Sequence, residues 1–300
     1  MFARIAALLT ITLVLTASVH GKSVPASPTP PAAWPAACED FDEWDKPGPP
    51  FRVHGNTYYV GTCGIAAILI TGERGHILID GGTEKGGAMI AANVERLGFR
   101  LRDVKLLLHS HEHIDHVGGL ALLQQRSGAK LVASAQAAPV LASGIASSDD
   151  PQAGMHAPFP AAKVSSLLAA SGKIVLGRLR LTALATPGHT PGALSWQWQS
   201  CEAGKQNCRW LVYADSLTPI SSDSYRFSDH PSYVAAFRAG ISRLAVLNCD
   251  ILLTPHPSSS EMRTRLLAPS GLVDQAACRT YAANASQKLS KRLATEAGAK

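Results

Sequence analysis

Between residues 109 and 119 the chain reads His109-Ser110-His111-Glu112-His113-Ile114-Asp115-His116-Val117-Gly118-Gly119. Four histidines and an aspartate in so short a run constrain the fold more than any other feature, because crowded imidazoles and carboxylates need either water or a metal. At 11 His and 22 acidic residues in 300, a His-x-His-x-Asp-His pattern arises by chance in on the order of one such chain in a thousand. The run begins at the end of a largely apolar stretch, 104–109, that predicts a buried strand. A turn at the end of that strand can send His111, His113, Asp115 and His116 into one pocket. Three imidazoles and a carboxylate are ligands that Zn²⁺ takes. Gly118-Gly119 supplies the tight backbone that such a turn needs.

Two more histidines have similar settings. His189 lies in Ala185-Thr186-Pro187-Gly188-His189-Thr190-Pro191-Gly192, directly after a predicted strand at 180–185. His256 lies in Leu253-Thr254-Pro255-His256-Pro257, directly after a predicted strand at 250–254. Ligands at strand ends are held by the sheet and can converge from distant sequence. Five histidines and one aspartate then divide into two three-ligand sets with positions left for water, the pattern of catalytic rather than structural zinc.

The rest of the chain supports an exported globular protein. Hydrophobic residues make up 46% and charged residues 17%, enough for a sizeable core and too apolar for disorder. The net charge of +6 comes from scattered basic residues with no Lys/Arg run, so no nucleic acid partner is expected. Met1 to Arg4 is positive, 5–14 is an apolar run, and Val19 and Gly21 are small residues suited to a cleavage site. The apolar run is shorter than the roughly 20 residues a membrane span needs. Residues 1–21 are therefore read as a signal peptide, 22–37 as a flexible Pro-rich lead-in and 38–300 as a single domain. A periplasmic location follows, with no membrane association after cleavage; nothing demands a dimer, and a monomer is expected.

Export makes the six cysteines readable as three disulfides. Leu194, Trp196 and Trp198 alternate with polar residues before Cys201, and an apolar run follows Cys208, which predicts a hairpin stapled at its shoulders. For the others the expected pairs are Cys38–Cys63 and Cys249–Cys278, tying both ends of the chain to the body; sequence alone leaves fifteen pairings open. Further strands are predicted at 57–61, 65–71, 76–80 and 173–176. Ile90, Val94 and Leu97 share a helical face ended by Gly98, and helices are also predicted from 120, over 231–247 and over 274–296. Residues 143–168 lack periodicity and read as a long mobile loop of functional type. Two sets of strands, each accompanied by helices, predict an α/β sandwich with the sheets inside.

The His-x-His-x-Asp-His motif, the T-P-G-H-T-P-G turn, Y-A-D-S-L-T at 213–218 and T-P-H-P at 254–257 together resemble the metallo-β-lactamase superfamily, and within it the third subclass of class B β-lactamases. The resemblance implies a four-layer αβ/βα sandwich, two central mixed β-sheets flanked by helices, with metals at one edge. It implies two Zn²⁺ per chain, one held by His111, His113 and His189, the other by Asp115, His116 and His256. Ser216 stands where other subclasses have a ligand Cys. The implied reaction is hydrolysis of small-molecule β-lactams (penicillins, cephalosporins, carbapenems) by a hydroxide between the two ions, giving antibiotic resistance. Asp115 would orient that nucleophile, Ser216 and Thr218 would bind the substrate carboxylate, and Gln152 would touch substrate or water. The resemblance also supports the three disulfide pairs.

Other residues take plainer readings. His109, His54, His76, His156 and His230 are expected in structural or surface roles. Asp80 is either a partner for a liganding imidazole or a strand-end cap. Met155 and Phe159 either wall the substrate site or anchor the loop. Asp215 opens an alternative: bridging both metals, it would make the protein a thioester or lactone hydrolase. A non-enzymatic zinc-binding protein is the other.

Overall fold

At residues 76–79 the apolar side chains point both ways: Ile77 and Ile79 into one buried cluster, Leu78 into another. A strand buried on both faces needs a layer on each side, and the architecture follows from that requirement. The computed structural model describes residues 30–169, 172–202 and 206–298. The expected signal peptide, 1–21, and the first part of the lead-in, 22–29, lie outside the described residues.

After a short helix, α1 (Ala33–Ala37), come strands β1 (Phe51–His54), β2 (Thr57–Tyr59), β3 (Ile68–Ile70) and β4 (His76–Ile79). Helix α2 (Glu84–Arg96), β5 (Val104–Leu108), α3 (Ile114–Val117), α4 (Leu120–Ser127), β6 (Lys130–Ala133), α5 (Ala137–Ser143) and β7 (Val164–Leu167) complete the first half. The second half holds β8 (Lys173–Leu176), β9 (Leu179–Ala185), β10 (Leu194–Ser200), β11 (Arg209–Tyr213), α6 (Pro231–Ala245), β12 (Ile251–Leu253), α7 (Met262–Leu267) and α8 (Ala277–Gly298). One sheet has the order β1 to β7, antiparallel as far as β4 and parallel from β4 to β7. The other has the order β12-β11-β10-β9-β8, with only β11 and β12 parallel.

Three buried clusters make four layers. Ile68, Ile77 and Ile79 of the first sheet meet Trp196, Trp198, Leu211 and Tyr213 of the second between the sheets. Outside the first sheet, Leu69 and Leu78 pack on Ile90 and Val94 of α2 and Leu120 and Leu123 of α4. Outside the second, Val212 and Leu252 pack on Phe237 and Ile241 of α6 and Ala282 and Leu289 of α8. Two mixed sheets flanked by helices are what the resemblance implied. No helix of the described residues is long and apolar enough to cross a membrane.

The disulfides join Cys38 to Cys63, Cys201 to Cys208 and Cys249 to Cys278. The second closes the β10–β11 hairpin next to the paired residues Ser200 and Arg209. Part of the lead-in departs from the flexible reading. Residues 33–37 are helical, Trp34 is only 1% exposed, and its ring lies 5.9 Å from that of Tyr59. Pro and Ala suggest a loose tether, but one large aromatic with a hydrophobic slot beside a disulfide is enough to dock the segment. The loop after residue 143 is shorter than expected, because 164–167 adds an edge strand. Its Val-Ser-Ser-Leu sequence is mostly exposed and carries no apolar alternation.

The Gly118-Gly119 pair works by close approach. A Cβ at Gly119 would stand 2.3 Å from the Gly81 carbonyl and 2.6 Å from Cα of Gly87. Across the same contact, Gly81 N–H donates to the His116 carbonyl and Gly119 N–H to the Gly82 carbonyl. Three glycines thus let the α3–α4 junction sit against the β4–α2 turn and α2. Gly119→Ala should cost roughly 1–3 kcal/mol through this overpacking, read as a lower urea midpoint; an unchanged midpoint would refute the contact.

Candidate metal centre

The C-terminal ends of β4, β5, β9, β11 and β12 all point to one edge of the sandwich. Asp80 follows β4, the 109–113 loop follows β5, His189 follows β9, Asp215 to Thr218 follow β11, and His256 follows β12. Asp80 adopts a left-handed backbone, φ 66°, which aspartate tolerates better than most residues. One of its oxygens accepts from Ser110 N–H at 2.6 Å, the other from the Ser110 and Tyr213 hydroxyls at 2.7 Å. It therefore caps the loop. His116 Nδ1 is 4.0 Å away, too far for a hydrogen bond.

His111, His113 and His189 each have one ring nitrogen engaged. His111 Nδ1 lies 2.8 Å from Asp215 Oδ1, His113 Nε2 lies 2.9 Å from Asp150 Oδ2, and His189 Nδ1 lies 3.0 Å from Thr218 Oγ1 and 3.1 Å from its carbonyl. The second nitrogens face a common point, that of His189 also lying 3.4 Å from the Gln152 amide nitrogen, and donor atoms of the three residues lie within 4.8 Å of one another. His111 Nε2 is buried with no hydrogen-bond partner. An orphaned buried nitrogen among other imidazoles asks for a cation.

Asp115 and His116 sit on α3, one turn beyond His113. Asp115 Oδ2 is 3.0 Å from His116 Nε2 and 3.3 Å from His256 Nε2, and those two nitrogens are 3.3 Å apart. Donor atoms around a tetrahedral ion with bonds of about 2.0–2.1 Å are spaced by about 3.3 Å. Both sets therefore fit a metal ion. His111 also lies within reach of Asp115 and His116, so the two sets adjoin; the grouping of Cys38, Asp42 and Cys63 fits no metal, since its two sulfurs form a disulfide.

Protonation points the same way. Burial, then the neighbouring imidazoles, drive His111 well below its ordinary value, and burial lowers His189 to about 3. Burial raises Asp115, but His116 and His256 outweigh it and hold the carboxylate ionised. His116 moves the other way: burial lowers it, while Asp115 more than compensates. Neutral imidazoles and an ionised carboxylate are the forms that bind metal, and a cation takes the place of the proton on His116. Burial raises Asp215 well above the usual carboxylate range. A cation at His111 Nε2 leaves the ring proton on Nδ1, donated to Asp215.

The metallo-β-lactamase superfamily profile matches residues 60–202. Solved structures are similar over nearly the whole chain. MIM-2 metallo-β-lactamase is 58% identical, with 90% of this chain and 100% of that one covered and a TM-score of 0.85. MIM-1 of Novosphingobium pentaromativorans is 48% identical, with 89% and 98% covered and a TM-score of 0.85. MEM-A1, a subclass B3 metallo-β-lactamase from a soil metagenome library, is 42% identical, with 86% and 100% covered and a TM-score of 0.81. The chain belongs to the subclass B3 metallo-β-lactamases.

In this B3 metallo-β-lactamase the structure also brings up residues that sequence reasoning missed. Glu112, 3% exposed, accepts from the Thr190 hydroxyl at 2.7 Å and from Gly192 N–H at 2.8 Å, holding the His189 turn against the 109–116 loop. Asp150 had no motif to mark it. His156, read as a loop histidine, lies with its ring 4.8 Å from that of His113, and its Nε2 is 3.3 Å from Gln152 Oε1. Gln152 is buried, with Nε2 3.4 Å from His189 Nε2. His109 is structural: its Nε2 accepts from Ser134 N–H. His54, His76 and His230 contact Asn207, Gly72 and Tyr225, outside the cluster. Phe159 anchors the loop in the outer core, while Met155 stays 49% exposed.

Asp215 holds Nδ1 of His111, the ring edge turned away from the orphaned Nε2. Asp215→Asn should therefore weaken metal binding by about 10–100-fold, measured by competition with a chromophoric chelator. Unchanged affinity would show that the carboxylate plays no part in orienting the ligand.

Proposed function

We propose that this chain hydrolyses the lactam amide of penicillins, cephalosporins and carbapenems, using two zinc ions, and so confers antibiotic resistance. The observation that carries this reading is the donor spacing of Asp115, His116 and His256 beside the three anchored imidazoles: two three-ligand sets side by side. In this reading His111, His113 and His189 hold one ion, and Asp115, His116 and His256 the other. Bound zinc would supply Lewis acidity toward the carbonyl oxygen and the departing nitrogen, and a water acidic enough to attack near neutral pH.

The chain's own side chains do the positioning. Asp115, kept ionised by its imidazole neighbours, accepts a hydrogen bond from the attacking water and orients it. Ser216 Oγ is buried without a hydrogen-bond partner and donates to the substrate carboxylate, with Thr218 beside it. The Gln152 amide, next to His189, touches substrate or water. No serine ester forms, so inhibitors that trap a serine nucleophile leave the enzyme active. The charged and apolar N-terminal segment and the three disulfides support export to the periplasm. There the enzyme acts as a monomer on a small molecule.

The purified mature protein should hydrolyse a carbapenem, seen as loss of ultraviolet absorbance; a chelator should stop the reaction and added Zn²⁺ restore it. His111→Ala and Asp115→Ala should each lower kcat/KM by about a thousandfold, the scale of several kcal/mol of metal-supplied stabilisation. Near-normal turnover in either variant would overturn the ligand assignment. Absence of turnover in zinc-loaded wild-type protein would overturn the substrate assignment and redirect the search to thioesters and lactones.

A further inference from the structure

The long helix α8 does more than cover the second sheet. Its residues make two clamps on the segment that follows β11, the stretch that carries Asp215, Ser216 and Thr218. At its first half, the Tyr281 hydroxyl donates to the Asp215 carbonyl at 2.8 Å and accepts from Leu217 N–H at 3.2 Å. Near its end, Arg292 and Glu296 act together. Arg292 donates through Nε to Glu296 Oε1 at 2.6 Å, and through one terminal nitrogen to Ser221 Oγ at 2.8 Å and the Tyr225 carbonyl at 3.2 Å. Glu296, 6% exposed, accepts from Phe227 N–H at 3.1 Å and Ser228 N–H at 2.7 Å. Arg226 returns a bond to the Glu296 carbonyl, and the Arg292 guanidinium lies 5.7 Å from the centre of the Phe227 ring.

The clamped segment reaches the metal site through one backbone bond. Ser222 N–H donates to the Pro151 carbonyl at 2.9 Å. On either side of Pro151 are the two loop residues that meet the histidines, Asp150 on His113 and Gln152 on His189. Asp150 also accepts from Gln152 N–H at 2.7 Å, so the two move as a unit. Between α5 and β7 the 144–163 loop holds no strand or helix of its own; Phe159 anchors its later part in the outer core, leaving 150–152 to the bond from Ser222.

We propose that Arg292 and Glu296 are positioning residues for the substrate site: they brace the 221–228 segment, whose Ser222–Pro151 bond sets the place of Asp150 and Gln152. The nearest end of this path is Gln152, which the proposed function assigns to substrate, and the inference rests on that reading. Of the inner ligands, His111 is held by Asp215 and the His189 turn by Glu112, both off this path, while His113 is met by Asp150, which lies on it. Loosening the brace therefore acts first on Gln152 and substrate binding, and reaches the metal only through the single Asp150–His113 bond.

Burial works against ionised Glu296, but Arg292 and the two N–H groups outweigh it and hold the carboxyl below its usual range. The brace is thus charge-assisted at neutral pH.

The test uses the full mature protein with zinc bound. Arg292→Met keeps the apolar stem and removes every bond of the guanidinium; Glu296→Gln weakens the other member. Each should raise KM for a carbapenem about tenfold with kcat within about threefold, the worth of one lost charge-assisted contact expressed in binding. Zinc stoichiometry should match the wild type. Amide exchange should accelerate at 150–156 and 221–228 and stay unchanged in β4, β5 and β11. Ser221→Ala removes one Arg292 contact with little risk to folding and should give a smaller effect in the same direction. Unchanged KM and unchanged exchange at 150–156 would overturn the brace. So would a uniform rise in exchange with kcat and zinc falling together, since that marks general destabilisation. If the wild type hydrolyses no β-lactam, exchange at 150–156 still reports on the brace, so its failure and that of the substrate assignment are told apart.

Discussion

The Glu112 carboxylate joins the two halves of the sandwich at the edge where the chemistry lies. It stands in the loop after β5 of the first sheet, and its partners Thr190 and Gly192 stand in the turn after β9 of the second. Burial raises its pKa, so the two hydrogen bonds and the surrounding polar groups are what make a carboxylate tolerable there. Around it run other cross-links: Leu194 N–H to the Ser110 carbonyl, Trp196 Nε1–H to the His109 carbonyl and Ser134 Oγ–H to the Gly192 carbonyl. With these in place, His111 and His113 from one sheet and His189 from the other share a point. Without them, six donor groups from separated strand ends would have no common frame.

Each imidazole facing that point is prepared by a partner behind it. Asp215, Asp150 and Thr218 engage one nitrogen of His111, His113 and His189 in turn. The engaged nitrogen sets which ring edge carries the lone pair, and it removes the freedom to flip. Burial keeps His111 and His189 from gathering protons, so the site holds more unspent electron pairs than a protein interior tolerates without a cation. The partners come from two different connections. Asp150 lies in the loop before β7, while Asp215 and Thr218 follow β11; the supports of the centre thus depend on regions that carry no ligand.

Rigidity is graded across the site. The ligand side rests on strand ends, on the glycine contact between 81, 87 and 119 and on the capped loop beside Asp80. Gln152 and Asp150, the partner of His113, rest on the irregular 144–163 loop, and through it on the 221–228 segment.

The metal motif, the histidines after two strands and the sandwich of two sheets could all be read in the sequence, because each has a local signature. His111 to His116 form a short pattern with little chance origin. His189 and His256 follow apolar runs at once, and the alternation at 194–198 announces a strand with one face inward. The hairpin cysteines were legible for the same reason, since 201 and 208 flank a predicted turn. Tertiary structure alone decided the partners. Asp150 and Glu112 have no spacing signal, and they matter only because folding sets them beside residues 37 and 78 positions away. Trp34 docks because a slot beside Tyr59 exists, not because its Pro- and Ala-rich neighbours favour order. The edge strand 164–167 pairs with β6 through its backbone, and its own, mostly exposed side chains give no hint of it. Local patterns encode which groups are present and on which element; which group stands behind which depends on contacts between distant segments, and those exist only once the layers have packed.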